Sequence, residues 1–193
     1  ALLGALYALD RRSTLERAAV LLYAGAAEGV VFAGDLATLF LFWELMAIGS
    51  TIVVLAGGAE RAGLRYALMH VLGGVLLFAG ILCVAQEPGG LALRAFRADA
   101  PGTWLLLAGI LVNAGAPPVS AWVADAYPRA SWSGAVFLSA FTTKAAVAVL
   151  IRLFPGEEVL VAVGIAMAVY GLLYALIEND IRRLLSYSIV GQV

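Results

Sequence analysis

The sequence has few charged residues and almost none of the residue types that build metal sites or disulfide frameworks. Only 13% of its 193 residues are charged, and it contains one histidine and one cysteine, Cys83. A single cysteine forms no disulfide or metal framework within the chain. The net charge of −1 offers no basic surface for nucleic acid. We also find no nucleophile–base arrangement, no phosphate-binding loop and no redox-cofactor ligands, so we expect no bound cofactor and no catalysis by the chain itself.

Hydrophobic residues, by contrast, make up 63% of the chain, and the mean hydropathy is +0.98. Soluble domains are nearer half apolar and a quarter charged. Long, continuous apolar runs favour membrane-spanning helices, which need about 20 residues, over strands. The sequence therefore predicts an all-α integral membrane protein, a polytopic bundle of about eight helical segments. These are 1–9, 18–34, 36–56, 66–85, 103–124, 132–153, 159–178 and 184–193. Because apolar residues stand at both ends, we expect 1–193 to be an internal fragment of one transmembrane domain.

The arginines are distributed unequally between the two predicted sides of the membrane. Eight fall in connections on one side and three on the other. The positive-inside rule places the first side in the cytoplasm and predicts a multi-pass protein of the cell inner (plasma) membrane. The eight are Arg11, Arg12, Arg17, Arg61, Arg65, Arg129, Arg182 and Arg183, and the three are Arg94, Arg97 and Arg152.

Several polar side chains fall inside the apolar segments, where a charge costs on the order of 2.5–3.5 kcal/mol. Glu28, Glu44, Asn113 and Lys144 lie near the midpoints of their segments, at similar predicted depth. His70 lies about one turn inside 66–85, and histidine is the residue type whose unperturbed side chain titrates nearest neutral pH. We interpret Glu44 as a protonatable group on an ion path; the alternative is a neutral glutamate hydrogen-bonded to a neighbouring helix. His70 is either a relay group or an interfacial residue, and Glu28 is best explained by close helix packing.

Lys144 is the only lysine of the chain, and all other cationic side chains are arginines. Because arginine practically never deprotonates, a lone lysine is the residue that a proton relay requires. The alternative is a structural ion pair with Glu44 or Glu28, and pairing is compatible with a relay.

Two further features indicate a polar interior. The segment 103–124 contains Pro117 and Pro118, which remove two backbone donors and predict a broken helix. Broken helices expose carbonyls to a cavity in transporters, although a simple proline kink is the alternative. Tyr187 lies in an unusually polar final segment, which suits a helix that lines a wet interior.

Four stretches of the sequence resemble the proton-translocating antiporter-like membrane subunits shared by respiratory complex I and Mrp-type Na+/H+ antiporters. They are 34–46, with Phe42-Trp43-Glu44-Leu45-Met46; 121–128, with Asp125-Ala126-Tyr127-Pro128; 142–144; and 179–188, with Asp180-Ile181-Arg182-Arg183-Leu184-Leu185-Ser186-Tyr187-Ser188. The double proline and the residues at 125–128 look most similar to the D-type subunit of the antiporters.

The resemblance implies a larger antiporter-like fold of about fourteen helices with two inverted repeats, each with a broken helix. Glu44 matches the essential glutamate of the family and Lys144 the lysine of the connecting helix. A second lysine normally precedes the break, and here that place is occupied by Asn113. This departure leaves Lys144 or His70 to substitute.

The function implied is proton translocation by a membrane subunit of a multisubunit monovalent cation/proton antiporter. Its expected partners are other membrane subunits, the lipid bilayer, protons and Na+ as a candidate cation. In the mechanism expected, the charge state of Lys144 sets the proton affinity of Glu44, with a coupling of roughly 2 kcal/mol at ~8 Å and an effective dielectric of ~20. His70 and Tyr187 are relay candidates. The alternatives are a proton-pumping subunit of a complex I-like NADH:quinone oxidoreductase and a proton-inactive structural subunit, which Asn113 favours.

Overall fold

The structure is a computed structural model that describes residues 2–7 and 13–193. Its regular elements in these ranges are helices, with one isolated bridge between Asp35 and Ala92. A 3-10 helix, Tyr127–Arg129, follows the sixth α-helix. The α-helices are α1 (Leu2–Tyr7), α2 (Thr14–Phe32), α3 (Leu36–Ala56), α4 (Glu60–Val84), α5 (Pro101–Ala114), α6 (Ala121–Ala126), α7 (Trp132–Ala140), α8 (Thr142–Leu153), α9 (Glu158–Ile177) and α10 (Ile181–Gln192).

Four stretches of the described chain are helical, long and apolar enough to cross a membrane: α3, α4, the 132–153 stretch that holds α7 and α8, and α9. Their outer faces carry large exposed apolar side chains such as Leu41, Leu68 and Leu172. Such faces are stable against lipid tails, which are as apolar as leucine itself. The all-helical membrane architecture predicted from composition is confirmed.

The helix bounds differ from the predicted segments where charge or a break intervenes. α4 begins at Glu60 rather than 66, because a helix continues through charged residues that end an apolar window. The segment 103–124 divides into α5 and α6, as the prolines predict. The segment 132–153, predicted as one helix, is interrupted at Phe141. For the segment 1–9, only 2–7 is described, and Arg11 and Arg12 also lie outside the described residues.

Short polar side chains begin several helices by accepting hydrogen bonds from free backbone N–H groups. Ser13 caps α2, Ser131 caps α7 and Asp180 caps α10. Asp35 caps α3: the backbone N–H and the hydroxyl of Thr38 donate to its carboxylate at 2.8 and 2.7 Å, and these bonds lower the pKa of Asp35. Each cap stands where a connection meets an apolar run, so it fixes the point at which the chain enters the bundle.

Contacts between distant connections define one arginine-rich side of the bundle. Arg65, near the start of α4, binds the Asp125 carboxylate through two bonds of 2.7 and 2.9 Å, and Arg129 binds the same carboxylate. Arg182, at the start of α10, donates to the Ala130 carbonyl at 2.7 Å. These connections therefore share one surface, which we call the arginine side.

On the opposite side of the bundle, Arg152 at the end of α8 connects this helix to α2. Its guanidinium donates to the carbonyls of Val31 and Ala33, which lie at the C-terminal end of α2. A cation at a helix C-terminus also complements the helix dipole. In the same region, Phe96 N–H donates to the Leu153 carbonyl at 2.6 Å.

The principal packing partners are α2 with α3, α3 with α4, α4 with α5, and α9 with α10. α4 and α5 approach closely because each helix places a glycine against the backbone of the other. A Cβ added to Gly80 would meet Leu106 N at 2.5 Å, and one added to Gly109 would meet Leu77 N at the same distance. Small residues at membrane helix contacts allow this approach. α4 is thus held between α3 and α5, and the candidate site lies along it.

Candidate functional site on α3, α4 and α5

Two adjacent glycines on α4 make room for polar side chains from the helices on either side. The Asn113 Oδ1 atom, from α5, lies 2.8 Å from the position that a Cβ on Gly73 would occupy. The Glu44 Oε1 atom, from α3, is closer still to the equivalent position on Gly74. A side chain at either glycine would displace a polar group. The glycines therefore bring Glu44 and Asn113 to the same turn of α4.

His70 lies about one turn before these glycines on the same helix. Its side chain is only 2% exposed, and its ring packs on Tyr66 at a centroid distance of 4.2 Å and on Trp122 at 5.2 Å. The Asn113 side chain faces His70 without a well-formed hydrogen bond between them. Because α4 begins at Glu60, His70 lies about 15 Å along the helix from its first residue. The ring is buried inside the bundle, and the relay and interfacial interpretations of His70 both stay predictions.

Several buried polar atoms at this site have no hydrogen-bond partner within the described ranges. They include Glu44 Oε1, both ring nitrogens of His70 and both amide atoms of Asn113. An unpaired buried polar group costs on the order of 1–3 kcal/mol, so proteins seldom retain several together without a function. Carboxyl and imidazole groups in one apolar core can exchange protons, and the amide beside them can bind water. Among the residues described, no group of three His, Cys, Asp or Glu could hold a metal ion.

The break between α5 and α6 adjoins Asn113. α5 ends with Gly115 in the left-handed conformation (φ +79°), which glycine adopts without steric cost. The indole N–H of Trp122, on α6, donates to the Val112 carbonyl at 3.0 Å across the break. Sequence interpretation missed this role of Trp122, although the residue lies in a stretch that carries the family resemblance. The turn at Gly115 thus directly follows the last turn of α5, whose one polar residue is Asn113.

Lys144 stands apart from these residues. It is exposed on the surface of the chain, in the first turn of α8. None of the ion pairs within residues 2–7 and 13–193 includes Lys144, Glu44 or Glu28, so the structure does not contain the ion pair that the sequence left open. Its neighbours Thr142 and Thr143 are fully buried. With 3.6 residues per turn, each residue of a helix is rotated by about 100° from the one before, so Lys144 points away from the face that Thr142 buries. Glu28 is exposed on α2.

Tyr187 is buried against α9 rather than against Glu44 or His70. Its ring stacks on Tyr174 at 5.3 Å and meets Tyr170 at 6.0 Å. Tyr170 in turn faces Ser120, a buried residue at the end of the break between α5 and α6. Among the residues described, Tyr187 is therefore connected to the break beside Asn113 through this aromatic row and not by direct contact with Glu44 or His70.

Glu16 is a buried acidic residue that sequence interpretation missed. It is 4% exposed, and its carboxylate accepts hydrogen bonds from the hydroxyls of Ser131 and Ser133 at the start of α7. The spacing of Ser13 and Glu16 is that of a helix-start capping box, which predicts the start of α2 but not the burial of Glu16. Glu16 thus connects the start of α2 with the start of α7 on the arginine side. The partners are 115 and 117 residues apart, so no local sequence pattern predicts the contact.

Comparison with known proteins places these features in a family. Residues 33–193 match the family described as "NADH:quinone oxidoreductase/Mrp antiporter, TM". The NADH-quinone oxidoreductase subunit N of Moorella thermoacetica is 31% identical over 82% of this chain. The Na(+)/H(+) antiporter D-type subunit of Alkalihalophilus pseudofirmus is 28% identical over 86% of it. The chain spans 38% of the length of each of these relatives.

Two solved structures have the same fold. A chain of respiratory complex I from Thermus thermophilus superposes with a TM-score of 0.87 and 25% identity, covering 99% of this chain and 47% of that one. A chain of the Mrp complex from Dietzia sp. DQ12-45-1b gives a TM-score of 0.80 and 25% identity, covering 90% and 37%. Both neighbours are subunits of multisubunit membrane complexes.

Proposed function

Because the chain belongs to the NADH:quinone oxidoreductase/Mrp antiporter membrane family, we propose that it provides part of a proton path through the bilayer. The observation that carries this proposal is the convergence of Glu44, His70 and Asn113 around the glycine pair of α4. Ionisable groups in membrane interiors are costly and mark ion pathways and proton relays. Here two such groups, Glu44 on α3 and His70 on α4, lie near the uncharged amide of Asn113 on α5, and all three have unpaired polar atoms in one apolar core.

Each of the three residues has a distinct role in this path. Glu44 is the group that binds and releases the proton, since its half-buried carboxyl has one unpaired oxygen and space beside Gly74. His70 accepts a proton at one ring nitrogen and releases another from the second. Asn113 cannot change charge, but its amide both donates and accepts hydrogen bonds, so it orders water between His70 and Glu44.

Lys144 and Tyr187 are proposed as accessory groups. Lys144 is exposed on this chain, so its influence on Glu44 is an electrostatic one that acts without direct contact. Tyr187 connects to the break through Tyr170 and Ser120, which gives α10 a route to the same polar interior. With no lysine at 113, Lys144 is the one lysine of the sequence that could supply the switchable positive charge.

We propose a plasma-membrane, multisubunit monovalent cation/proton antiporter as the assembly, with protons and Na+ as the transported ions. The resemblance of the double proline and of 125–128 to the D-type antiporter subunit supports it, as does the antiporter relative. A proton-pumping subunit of a complex I-like enzyme is the second candidate, because the 31% identity and the TM-score of 0.87 are to complex I proteins. Identification of the subunits that co-purify with the full-length protein separates the two.

Replacement of Glu44 tests the proton path directly. In vesicles that contain the full-length protein in its native complex, Glu44→Gln should lower proton transport on the order of tenfold or more, because glutamine cannot take up the proton. Transport is measured as quenching of a pH-sensitive dye and normalised to the amount of assembled complex.

The matched control is Glu28→Gln. Glu28 is also a glutamate within an apolar helix, but it is exposed on α2 and away from the glycine pair. Its replacement should leave transport unchanged. Normal transport by Glu44→Gln would contradict the proposed path and favour a structural, proton-inactive subunit.

A further inference from the structure

Four buried hydroxyl groups, whose proximity the sequence did not predict, lie together at a second interruption in the bundle. α7 ends at Ala140 and α8 begins at Thr142, with Phe141 between them at φ −113° and ψ −62°. In a continuous helix the Thr142 N–H would donate to the carbonyl four residues earlier. Here it donates to the Tyr23 hydroxyl of α2 at 2.9 Å. The helix break is thus completed by a side chain from another helix.

The Thr142 hydroxyl is the centre of this arrangement. It is hydrogen-bonded to the Tyr23 hydroxyl and lies 3.4 Å from the Tyr66 hydroxyl of α4. The Tyr127 hydroxyl also faces Thr142 but has no well-formed hydrogen bond in the described chain. We call Tyr23, Tyr66, Tyr127 and Thr142 the hydroxyl cluster. All four are at most 2% exposed.

Completing the helix break accounts for only part of the hydroxyl cluster. Tyr23 alone satisfies the Thr142 N–H, so the break needs neither Tyr66 nor Tyr127. A buried hydroxyl without a partner, such as that of Tyr127, is costly in an apolar medium. Phenylalanine at 66 and 127 would fill the same volume at lower cost. The hydroxyls therefore serve a purpose other than packing.

The position of the hydroxyl cluster relates it to the proposed proton path. Tyr66 lies about 9 Å inside α4 from its arginine-side end, and His70 lies one turn deeper with its ring packed on that of Tyr66. Tyr127 begins the 3-10 helix that ends at Arg129 on the arginine side. The cluster thus lies between that surface and His70.

We propose that the hydroxyl cluster conducts protons between the arginine side and His70; this inference rests on the proposed function of the Glu44 path. A proton from water binds to one hydroxyl oxygen as that group's own proton passes to the next oxygen. The last hydroxyl hands a proton, directly or through water, to an unpaired ring nitrogen of His70. Each O–H bond that breaks is replaced by another, so the hydroxyls are regenerated and no oxidant or reductant is involved.

Thr142→Val and Thr142→Ser test this relay in the full-length protein in native membrane vesicles. Valine keeps the shape and the backbone N–H bond to Tyr23 but removes the hydroxyl, whereas serine keeps the hydroxyl. We expect Thr142→Val to lower proton transport per assembled complex on the order of tenfold, and Thr142→Ser to restore it to within about twofold of the native rate. We also expect Tyr66→Phe, which removes one hydroxyl and no packing volume, to lower transport and to change the H₂O/D₂O rate ratio.

The control is Ser139→Ala on α7, since within the described chain the Ser139 hydroxyl bonds only to the Val136 carbonyl of its own helix. It should leave transport unchanged. If Glu44→Gln abolishes transport while Thr142→Val and Tyr66→Phe keep the native rate and isotope ratio, the relay is refuted and the Glu44 path stands. If Glu44→Gln has no effect, both proposals fail. Should Thr142→Val not assemble, Tyr66→Phe alone decides the question.

Discussion

At the residue scale, the site depends as much on two residues without side chains as on the polar groups. Glu44, His70 and Asn113 come from three helices, and Gly73 and Gly74 provide the space that they share. Asn113 stands where relatives are expected to carry lysine, so its uncharged amide lowers the cost of burial at 1% exposure. The contribution of the glycine pair to proton transport can therefore be tested by substitution, as that of Glu44 can.

The substitution Gly74→Ala should impair transport while leaving the helix stable. Alanine favours a helix over glycine by about 1 kcal/mol, but its Cβ would overlap the Glu44 carboxyl and move it. We expect a loss of proton transport on the order of tenfold or more, because small displacements of a reacting group are costly. The assay is dye quenching in vesicles, normalised to protein amount.

The matched variant is Gly164→Ala on α9, where nothing lies within 4 Å of the added Cβ. It should transport protons at the native rate. Equal rates for the two variants would show that the space beside Glu44 is not needed.

At the element scale, the two interrupted helices are made by different means. The break after α5 is encoded locally by Gly115, Pro117 and Pro118. The break at Phe141 has no local signal, and it is stabilised by the bond from Thr142 N–H to Tyr23, 119 residues away in sequence. A proline motif can be recognised in a sequence, whereas a competing hydrogen bond from another helix cannot.

The substitution Gly115→Ala should destabilise the α5–α6 break. A non-glycine residue in the left-handed region costs roughly 1–2 kcal/mol, and the new Cβ would lie 3.1 Å from Val123 Cγ2. We expect a lower unfolding temperature for the purified protein in detergent. Gly25→Ala, in open space on the α2 helix, should not lower it; a similar decrease for both variants would contradict the assignment.

At the scale of the whole molecule, side-chain contacts assign the connections to two opposite surfaces. Arg65, Asp125, Arg129 and Arg182 meet on the arginine side, and Arg152 closes the other. The excess of arginine on the first surface predicts that it faces the cytoplasm. The proposal that protons enter the hydroxyl cluster from the arginine side thereby specifies cytoplasmic entry.

Single-cysteine labelling tests this orientation. In the full-length protein with its other cysteines replaced, we expect Gln86→Cys, beyond the end of α4, to react with a membrane-impermeant maleimide added to intact cells. Glu60→Cys, at the exposed start of α4, should react only after the cells are permeabilised. The reverse pattern would place the arginine side outside the cell.

The sequence by itself determined the helical membrane class, the break at the double proline and the membership in the antiporter-like family. These follow from hydropathy, from proline chemistry and from motifs, all of which are local. It also identified Glu44 and Asn113 as polar residues near the midpoints of their segments and His70 as one about a turn inside its segment, because a polar group in an apolar segment is costly. Only the tertiary structure decided which of them meet, that Lys144 faces outward, and that α7 and α8 separate at Phe141. Those outcomes depend on how each helix is rotated and on what its neighbours offer, such as the space at Gly74 and the hydroxyl of Tyr23.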